Sequence, residues 1–235
     1  MHKIDDNLTK VSTRITQAAM AASRDPKGIC LLAVSKTQGA DALRLAYQYG
    51  QHCFGESYLQ EALDKQRQLH DLNITWHFIG PIQSNKTRDI AENFDWVHSI
   101  DRFKIARRLN EQRPPEKPPL NVCIQVNVDA ENNKSGVKLD EIPALAKAVI
   151  SLPHLRLRGL MAIPSPRNNS DEQKYAFNAI QTALTKLREA LYSRDKDLPL
   201  DTLSMGMSGD LEVAIHAGAT IVRVGTDIFG PRQRV

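Results

Sequence analysis

The chain has 235 residues, of which 41% are hydrophobic and 25% are charged, and its formal net charge is +4. This size and composition suit one soluble domain with a sizeable core, so we expect a single domain over residues 1–235. The basic residues are scattered, which argues against nucleic acid as a partner. No apolar leader and no stretch of membrane length occurs, which argues against a membrane and predicts a cytoplasmic protein.

The first predicted element is an amphipathic helix, in which Ile4, Leu8, Val11 and Ile15 follow the helical period. An Arg-Asp-Pro-Lys-Gly segment over residues 24–28 ends this helix.

An apolar run over residues 29–35 follows, and glycines on both sides of it predict a strand buried on both faces. Lys36 stands at the carboxyl end of that strand, where α/β sheets and barrels place their functional groups. Partial desolvation there lowers the pKa of an amine and makes it a Schiff-base nucleophile. Lysines that merely reach solvent are also common at strand ends, so a functional role for Lys36 needs support from other residues.

Short apolar runs alternate with helical patterns along the rest of the chain. The predicted strands cover 29–35, 52–54, 76–79, 96–99, 121–128, 157–161, 202–205 and 221–224, and the predicted helices lie near 40–49, 57–70, 83–92, 102–112, 139–151, 171–192 and 209–217. Alternating β and α elements indicate a parallel sheet. Eight such units fit a closed (β/α)8 TIM barrel, for which about 250 residues is typical, and a doubly wound open sheet is the alternative. The first helix is extra, and we expect it to plug or flank the bottom of the barrel.

The three cysteines, Cys30, Cys53 and Cys123, show no metal-ligand spacing, and we expect no metal site. Cys30 and Cys123 fall inside predicted strands, so both are expected to be buried, reduced thiols.

The residues after the last two predicted strands are suited to binding an anion. TIM barrels often bind phosphate at the loops after strands seven and eight, at a short helix N-terminus. Ser208 is predicted as the N-cap of the helix after strand seven, and Gly206 and Gly209 allow close approach of the backbone to a ligand. Gly225 and Thr226 offer N–H groups and a hydroxyl after strand eight. The alternatives are that Ser208 only caps its helix and that Gly225 is only a turn residue. Because such residues follow both of the last two strands, an anion site is favoured.

Arg223 lies on the otherwise aliphatic eighth strand. A buried, unpaired guanidinium is costly, so its side chain must meet a partner or the mouth of the barrel. One interpretation is a structural salt bridge, and the other is a hydrogen bond to a ring nitrogen of a bound cofactor.

Taken together, the chain resembles pyridoxal phosphate proteins with an alanine-racemase-like barrel of fold type III, and in particular the pyridoxal 5'-phosphate homeostasis protein family. The motifs that carry the resemblance are Ala33-Val-Ser-Lys-Thr37, Phe54-Gly-Glu56, Trp76 through Lys86, Asn127 through Gly136, Arg158 through Ile163, Leu203 through Ser208 and Arg223-Val-Gly-Thr226. They extend from the first predicted strand to the last turn.

The resemblance implies that pyridoxal phosphate is the cofactor and that Lys36 holds it as a Schiff base. It further implies that Arg223 faces the pyridine nitrogen, while the phosphate is held by Ser208, Gly225 and Thr226, with Met207 beside them.

Ser57, His77 and Asn85 are further candidate cofactor contacts. The family usually has asparagine where this chain has Ser57, which is shorter and lacks the amide donors. His77 and Asn85, with Gln83 and Lys86, are expected at the barrel mouth near strand three, where a solvated loop is an equal interpretation. Lys134, on the loop after strand five, is a second amine with no unique role.

Racemases of this barrel type carry a second, β-rich domain that supplies an opposing acid or base. Ten residues follow Gly225 here, so we expect no such domain. An arginine partner also keeps the pyridine nitrogen largely unprotonated, which weakens the electron sink. The resemblance implies a non-catalytic, monomeric carrier that buffers pyridoxal phosphate or delivers it to apo-enzymes, and so affects amino-acid metabolism. A weak amino-acid racemase and a Schiff-base aldolase acting on a phosphosugar are the alternatives.

Overall fold

The computed structural model describes residues 3–129, 131, 134–165, 170–192 and 198–231. The strands are β1 (Cys30–Val34), β2 (Cys53–Glu56), β3 (Thr75–Phe78), β4 (Trp96–Ile100), β5 (Leu120–Val126), β6 (Leu155–Ala162), β7 (Thr202–Ser204) and β8 (Ile221–Val224). The α-helices are α1 (Lys3–Ala21), α2 (Ala40–Gln48), α3 (Leu59–Gln68), α4 (Thr87–Asn93), α5 (Phe103–Gln112), α6 (Ile142–Ile150), α7 (Ser170–Tyr192), α8 (Leu211–His216) and α9 (Thr226–Phe229). Short 3-10 helices cover Pro26–Gly28 and Ser84–Lys86.

The eight strands form a closed parallel barrel in chain order, and β1 pairs with β8 to complete it. At this closing edge Cys30 lies opposite Ile221 and Ala33 lies opposite Val224. A helix follows every strand. The predicted (β/α)8 barrel is therefore confirmed, and the open-sheet alternative is wrong.

Most predicted elements agree with the structure to within a few residues. The predicted helix over 83–92 divides into the 3-10 helix Ser84–Lys86 and α4, and the turn expected after the last strand contains the one-turn helix α9. The proline-rich segment between α5 and β5 is a loop, which Arg113 fastens through a bond from Nε to the Pro118 carbonyl oxygen at 2.9 Å.

Side chains alternate between the barrel interior and the layer of helices around it. Ala33 and Phe54 are register partners on β1 and β2, and both are completely buried in the outer apolar layer. Cys30 and Val34, on the other face of β1, line two cavities at opposite ends of the barrel. Cys123 is buried as expected, whereas Cys30 is only partly buried because it faces a cavity, so full burial of Cys30 was a wrong prediction.

Helix α1 lies against the side of the barrel, where its apolar stripe of Leu8, Val11 and Ile15 is buried. It packs on α8 and α9 and reaches the turns at the carboxyl ends of the strands. The helix thus flanks the last βα unit, and the alternative of a plug at the bottom is wrong. None of the described helices is both long and apolar enough to cross a membrane.

Candidate functional site

A cavity of about 240 Å³ opens at the carboxyl ends of β1, β2, β3 and β8. Three of the predicted site residues line it from strand ends, namely Lys36, Ser57 and Arg223. The turn after β7 contributes Met207 and Ser208, and the turn after β8 contributes Gly225 and Thr226. The fold therefore brings together residues that lie up to 190 positions apart in the sequence, from Lys36 to Thr226.

Lys36 is half-buried at the wall of this cavity, two residues past the end of β1. The backbone turns sharply after it, because Thr37 adopts a left-handed conformation with φ of 67°. The Thr37 N–H donates to Glu61 Oε1 at 2.6 Å, which fastens this turn to α3. The position of the Lys36 backbone is thus fixed by a contact that the sequence pattern does not reveal.

A buried polar network lies directly below Lys36. Lys65 Nζ donates to Glu56 Oε1 at 2.7 Å and to the Ser35 carbonyl oxygen at 2.7 Å, while Ser35 Oγ donates to Glu56 Oε1 at 2.6 Å. Glu56 Oε2 is buried with no hydrogen-bond partner among the described residues. Burial raises the pKa of Glu56, and the Lys65 ammonium opposes that rise. The network connects β1 and β2 next to Lys36.

The turn after β7 differs from the prediction. Asp210, not Ser208, is the N-cap of α8, and its Oδ1 accepts a bond from the Met207 N–H at 2.5 Å. Ser208 lies earlier in the turn, and the N–H groups of Ser208 and Gly209 have no acceptor among the residues the structure describes. These two N–H groups are therefore available to an anion in the cavity.

Gly206 was expected to allow approach of the backbone to a ligand, but it serves the packing of α8. Its φ is +94°, and a Cβ there would lie 2.6 Å from the Ala214 Cβ. Gly209 has open space around its Cα and lines the cavity.

The turn after β8 begins at Gly225, which is the N-cap of α9. A Cβ at Gly225 would lie 3.0 Å from the Val34 carbonyl oxygen, so glycine lets β8 come close to β1. Thr226 is the first residue of α9 and its side chain is exposed at the cavity. First-turn N–H groups of a helix have no acceptor within that helix, so this turn also offers donors.

Arg14, on α1, joins the two turns from outside the cavity. Its Nε lies 2.7 Å from Glu212 Oε1 on α8, and its Nη1 lies 2.6 Å from Asp227 Oδ2 on α9. Its Nη2 donates to the Ser208 carbonyl oxygen at 2.9 Å. This role could not be predicted from the sequence, because all three partners are about 200 residues away along the chain.

Arg223 is buried inside the barrel. Its Nη1 donates to the Ser204 carbonyl oxygen at 2.6 Å and to Ser204 Oγ at 2.8 Å, and its Nη2 donates to the Ala162 carbonyl oxygen at 2.8 Å. Burial lowers the pKa of Arg223 to about 10, so the group stays charged at neutral pH. No carboxylate in the described part of the chain forms an ion pair with it, which argues against the salt-bridge interpretation. Three of its five N–H groups are used, and the others are available to the cavity it lines.

Two predicted site residues do not reach this cavity. His77 lies within β3, is 2% exposed, and lines a different cavity at the amino-terminal end of the barrel, so its placement at the barrel mouth was wrong. Residue 77 lies inside β3, as it does inside the strand predicted over 76–79, and the alternation of the strand points its side chain into the barrel interior. Asn85 lies in the 3-10 helix Ser84–Lys86, is exposed, and is not among the residues that line the cavity.

Lys134 lines a neighbouring cavity of about 290 Å³, which shares Ile79 and Ile163 with the first. Its Nζ lies 2.9 Å from Glu131 Oε1 and 3.6 Å from Asp129 Oδ2. Lys134 is thus engaged by two carboxylates at a separate cavity.

The first cavity therefore combines an amine, a buried guanidinium and unbonded N–H groups on two turns. An amine attacks a carbonyl carbon, a guanidinium donates to a ring acceptor, and backbone N–H groups bind phosphate. Pyridoxal phosphate has an aldehyde carbon, a ring nitrogen and a phosphate group, which are the partners of these three kinds of group. The residues present therefore fit this cofactor.

Comparison with known proteins gives three consistent results at the level of sequence. The family model described as alanine racemase, N-terminal domain, matches residues 7–233. A pyridoxal phosphate homeostasis protein of Pseudomonas aeruginosa is 60% identical over 233 residues, covering 99% of this chain and 97% of the relative. The protein of the same name from Escherichia coli K12 is 52% identical over 236 residues, covering 99% and 98%.

Solved structures agree with this. PipY of Synechococcus elongatus with pyridoxal phosphate bound superposes with a TM-score of 0.82 at 34% identity, covering 97% of this chain and all of that chain (100%). An alanine racemase from Corynebacterium glutamicum superposes with a TM-score of 0.71 at 18% identity, covering 97% of this chain and 61% of the racemase. At that identity the racemase shares the fold alone.

Proposed function

The chain belongs to the pyridoxal phosphate homeostasis protein family, with an alanine racemase N-terminal domain fold, and we propose from this that it binds pyridoxal phosphate and acts in its homeostasis. In this proposal residues 1–235 form one cofactor-binding domain that buffers pyridoxal phosphate or delivers it to apo-enzymes. The observation that carries the proposal is the meeting of Lys36, Arg223 and both turns around one cavity of about 240 Å³.

Each of these groups has a distinct part in binding. Pyridoxal phosphate supplies an aldehyde, and Lys36 is the amine that holds it as a Schiff base. Ser208, Gly225 and Thr226 bind the phosphate through N–H and hydroxyl groups, while Met207 borders the same turn. Arg223 donates to the pyridine nitrogen and, because it keeps its own proton, leaves that nitrogen unprotonated.

Ser57 lines the cavity beside Lys36, so a short hydroxyl stands where the family usually has an amide. His77 and Asn85 have no part in this proposal, since neither lines the cavity.

A carrier role without catalysis is supported by the residues around the cavity. Among the described residues that line it, Lys36 and Arg223 are the ionisable ones. Removal of a proton from the α-carbon of an amino acid requires a separate, well-placed base, and Arg223 weakens the electron sink. The racemase alternative is supported only by distant relatives. A monomeric state, a cytoplasmic location and apo-enzymes as recipients stay predictions.

Purified protein titrated with pyridoxal phosphate tests the proposal. We expect visible absorption of a Schiff base, its loss on borohydride reduction, and a reduced adduct that peptide mass mapping assigns to Lys36. A colourless protein that borohydride traps only in the presence of a sugar phosphate would instead favour the aldolase.

The carrier role needs a second experiment. Loaded protein, freed of unbound cofactor, should reactivate an apo-enzyme that depends on pyridoxal phosphate, while racemase, transaminase and decarboxylase assays stay marginal. Turnover of any amino acid at about 1 s⁻¹ or faster, as in ordinary enzymes, would contradict a carrier without catalysis.

A further inference from the structure

Four polar side chains form a continuous line of contacts through the interior of the barrel. Arg223 Nη1 donates to Ser204 Oγ at 2.8 Å, and that oxygen lies 2.8 Å from His98 Nδ1. His98 Nε2 lies in turn 2.9 Å from His77 Nδ1. We call these four residues the polar column. It connects the cavity of about 240 Å³, lined by Arg223, with a cavity of about 410 Å³ at the amino-terminal end of the barrel, lined by His77.

The polar column occupies a region that TIM barrels usually fill with branched aliphatic side chains. Its four members are at most 4% exposed, so water does not solvate them. Buried polar groups cost free energy unless they are hydrogen-bonded. The cost is not fully removed here, because His77 Nε2 is buried with no hydrogen-bond partner among the residues the structure describes. A partly satisfied polar network stabilises a core less than aliphatic side chains do, so we look for its role at the end that faces the larger site, Arg223.

Three oxygen atoms anchor the guanidinium of Arg223. The Ser204 carbonyl oxygen and Ser204 Oγ accept from Nη1 at 2.6 and 2.8 Å, and the Ala162 carbonyl oxygen accepts from Nη2 at 2.8 Å. The two carbonyls belong to the backbone of β7 and β6, so Ser204 Oγ is the anchor that a side chain supplies. These bonds take both N–H groups of Nη1 and one of Nη2. The Nε N–H and the second N–H of Nη2 remain for a ligand.

His98 holds the hydroxyl of Ser204 in place. A serine side chain has three staggered rotamers, and in the one observed Oγ reaches both Arg223 Nη1 and His98 Nδ1. A hydroxyl donates as well as accepts, so its contact with His98 is a hydrogen bond whichever ring nitrogen carries the proton. His98 is itself held by His77, whose ring stacks on Trp96 with centroids 5.4 Å apart and planes 9° apart.

We propose that Ser204, held by His98, is a positioning residue that directs the guanidinium of Arg223 toward the ring nitrogen of the bound cofactor. The inference rests on the proposed function and adds what the site selects. Because its remaining N–H groups are fixed in direction, Arg223 favours an aromatic ring with an acceptor nitrogen over a ring of the same shape without one. Ser204 is not among the residues that line the cavity, so it contributes to this selectivity without touching the ligand.

The preference of the full-length protein for pyridoxal phosphate over its analogue with a C–H group in place of the ring nitrogen tests the proposal. Both ligands offer the same aldehyde and phosphate, so the ratio of their Kd values reports on the contact with the ring nitrogen. We expect the wild type to bind pyridoxal phosphate at least about tenfold more tightly than the analogue. In Ser204→Ala this ratio should fall at least about threefold, while the Kd of the analogue changes less than about twofold.

Two further variants complete the test. Thr202→Val also removes a buried hydroxyl from β7, but that hydroxyl bonds Asp201 Oδ1, so this matched control should keep the wild-type ratio. An equal fall in the control would overturn the proposal. His98→Leu lets the Ser204 hydroxyl turn to other rotamers, so the ratio should fall there too, and an unchanged ratio would overturn the part assigned to His98. If His98→Leu fails to fold, the comparison of Ser204→Ala with Thr202→Val still decides the outcome.

The possible outcomes separate this inference from the proposed function. A wild-type protein that forms no Schiff base at Lys36 would contradict both. Binding of both ligands with equal Kd values would leave the cofactor role intact and overturn the roles of Arg223 and Ser204 toward the ring nitrogen. A wild-type preference that Ser204→Ala retains in full would overturn the positioning role alone.

Discussion

Arg14 Nη2 lies 2.9 Å from the carbonyl oxygen of Ser208, so the helix that precedes the barrel holds the turn after β7. The same guanidinium binds Glu212 on α8 and Asp227 on α9. Helices α8 and α9 follow the two turns that line the cavity of about 240 Å³, so α1 fixes the position of these turns relative to each other. The extra helix is thus connected to the candidate site and is more than an outer cover.

The substitution Arg14→Met should weaken the binding of pyridoxal phosphate while the barrel stays folded. Each partly exposed ion pair is worth about 0.2–1 kcal/mol, and a loss of about 1 kcal/mol corresponds to a roughly fivefold rise in Kd. Titration of the absorption change gives the Kd. Arg44→Met removes a comparable two-bond pair, with Asp71, away from the cavity and should leave the Kd unchanged. Equal Kd values for both variants would mean that Arg14 does not hold the turns.

Lys36→Ala should abolish the Schiff-base absorption without unfolding the protein. The side chain lies at a strand end on the cavity wall, so its truncation leaves the core intact. Contacts to the phosphate persist, so weak non-covalent binding should remain. Lys86→Ala, at an exposed lysine, is the control. If Lys36→Ala keeps the full absorption band, the attachment site is elsewhere and Lys134 becomes the candidate.

The barrel could be predicted because each strand and helix has a recognisable pattern within its own short segment of sequence. Apolar runs such as 29–35 and 221–224 alternate with helical periods, and closure of eight such units follows from their number. The strand-end position of Lys36 and the two turns depend on the same alternation, so their meeting around one cavity followed from the fold.

The errors arose where a single position decides the outcome. His77 already lies within the strand predicted over 76–79, and the alternation of β3 points its side chain into the barrel and not to the mouth. The turn after β7 continues to Asp210, so Asp210 and not Ser208 is the N-cap of α8. Arg14 and Lys65 were missed for another reason. Both look like ordinary charged positions of amphipathic helices, and their partners come from other elements. A lysine one turn after Ala62 on the buried face of α3 was the available sign for Lys65.

Ser208→Ala and Thr226→Val should each weaken the binding of pyridoxal phosphate more than that of pyridoxal. Each variant removes a hydroxyl from a turn that lines the cavity, and a hydrogen bond to a charged group is worth roughly 1.5–3 kcal/mol. Competition experiments with both ligands give the two affinities. Ser12→Ala, on α1 and outside the cavity lining, is the control. Equal losses for the two ligands would show that these hydroxyls support the turns and do not contact the phosphate.

Lys65→Met should lower the free energy of unfolding by about 3–5 kcal/mol, the usual cost of stranding one partner of a buried ion pair. Lys65 and Glu56 are 3% and 0% exposed and lie 2.7 Å apart, so the remaining carboxylate has no access to water. Burial already raises the pKa of Glu56, and the loss of Lys65 removes the charge that opposes this rise. A carboxyl whose pKa is raised on folding favours the folded state at low pH and disfavours it as the pH rises.

The loss of stability in Lys65→Met should therefore be smaller at pH 5 than at pH 8, where Glu56 has to be buried as an anion or take up a proton on folding. Urea unfolding of wild type and variant at both pH values measures the difference. The double substitution Lys65→Met with Glu56→Gln removes both charges and should recover part of the loss at pH 8. A loss that is equal at both pH values would mean that Lys65 stabilises the fold through its other contacts, to Glu61 at 2.5 Å and to the Ser35 carbonyl oxygen, and not through its pairing with Glu56. Because Lys65 also bonds the Ser35 carbonyl oxygen, the variant should bind pyridoxal phosphate more weakly even where it is folded.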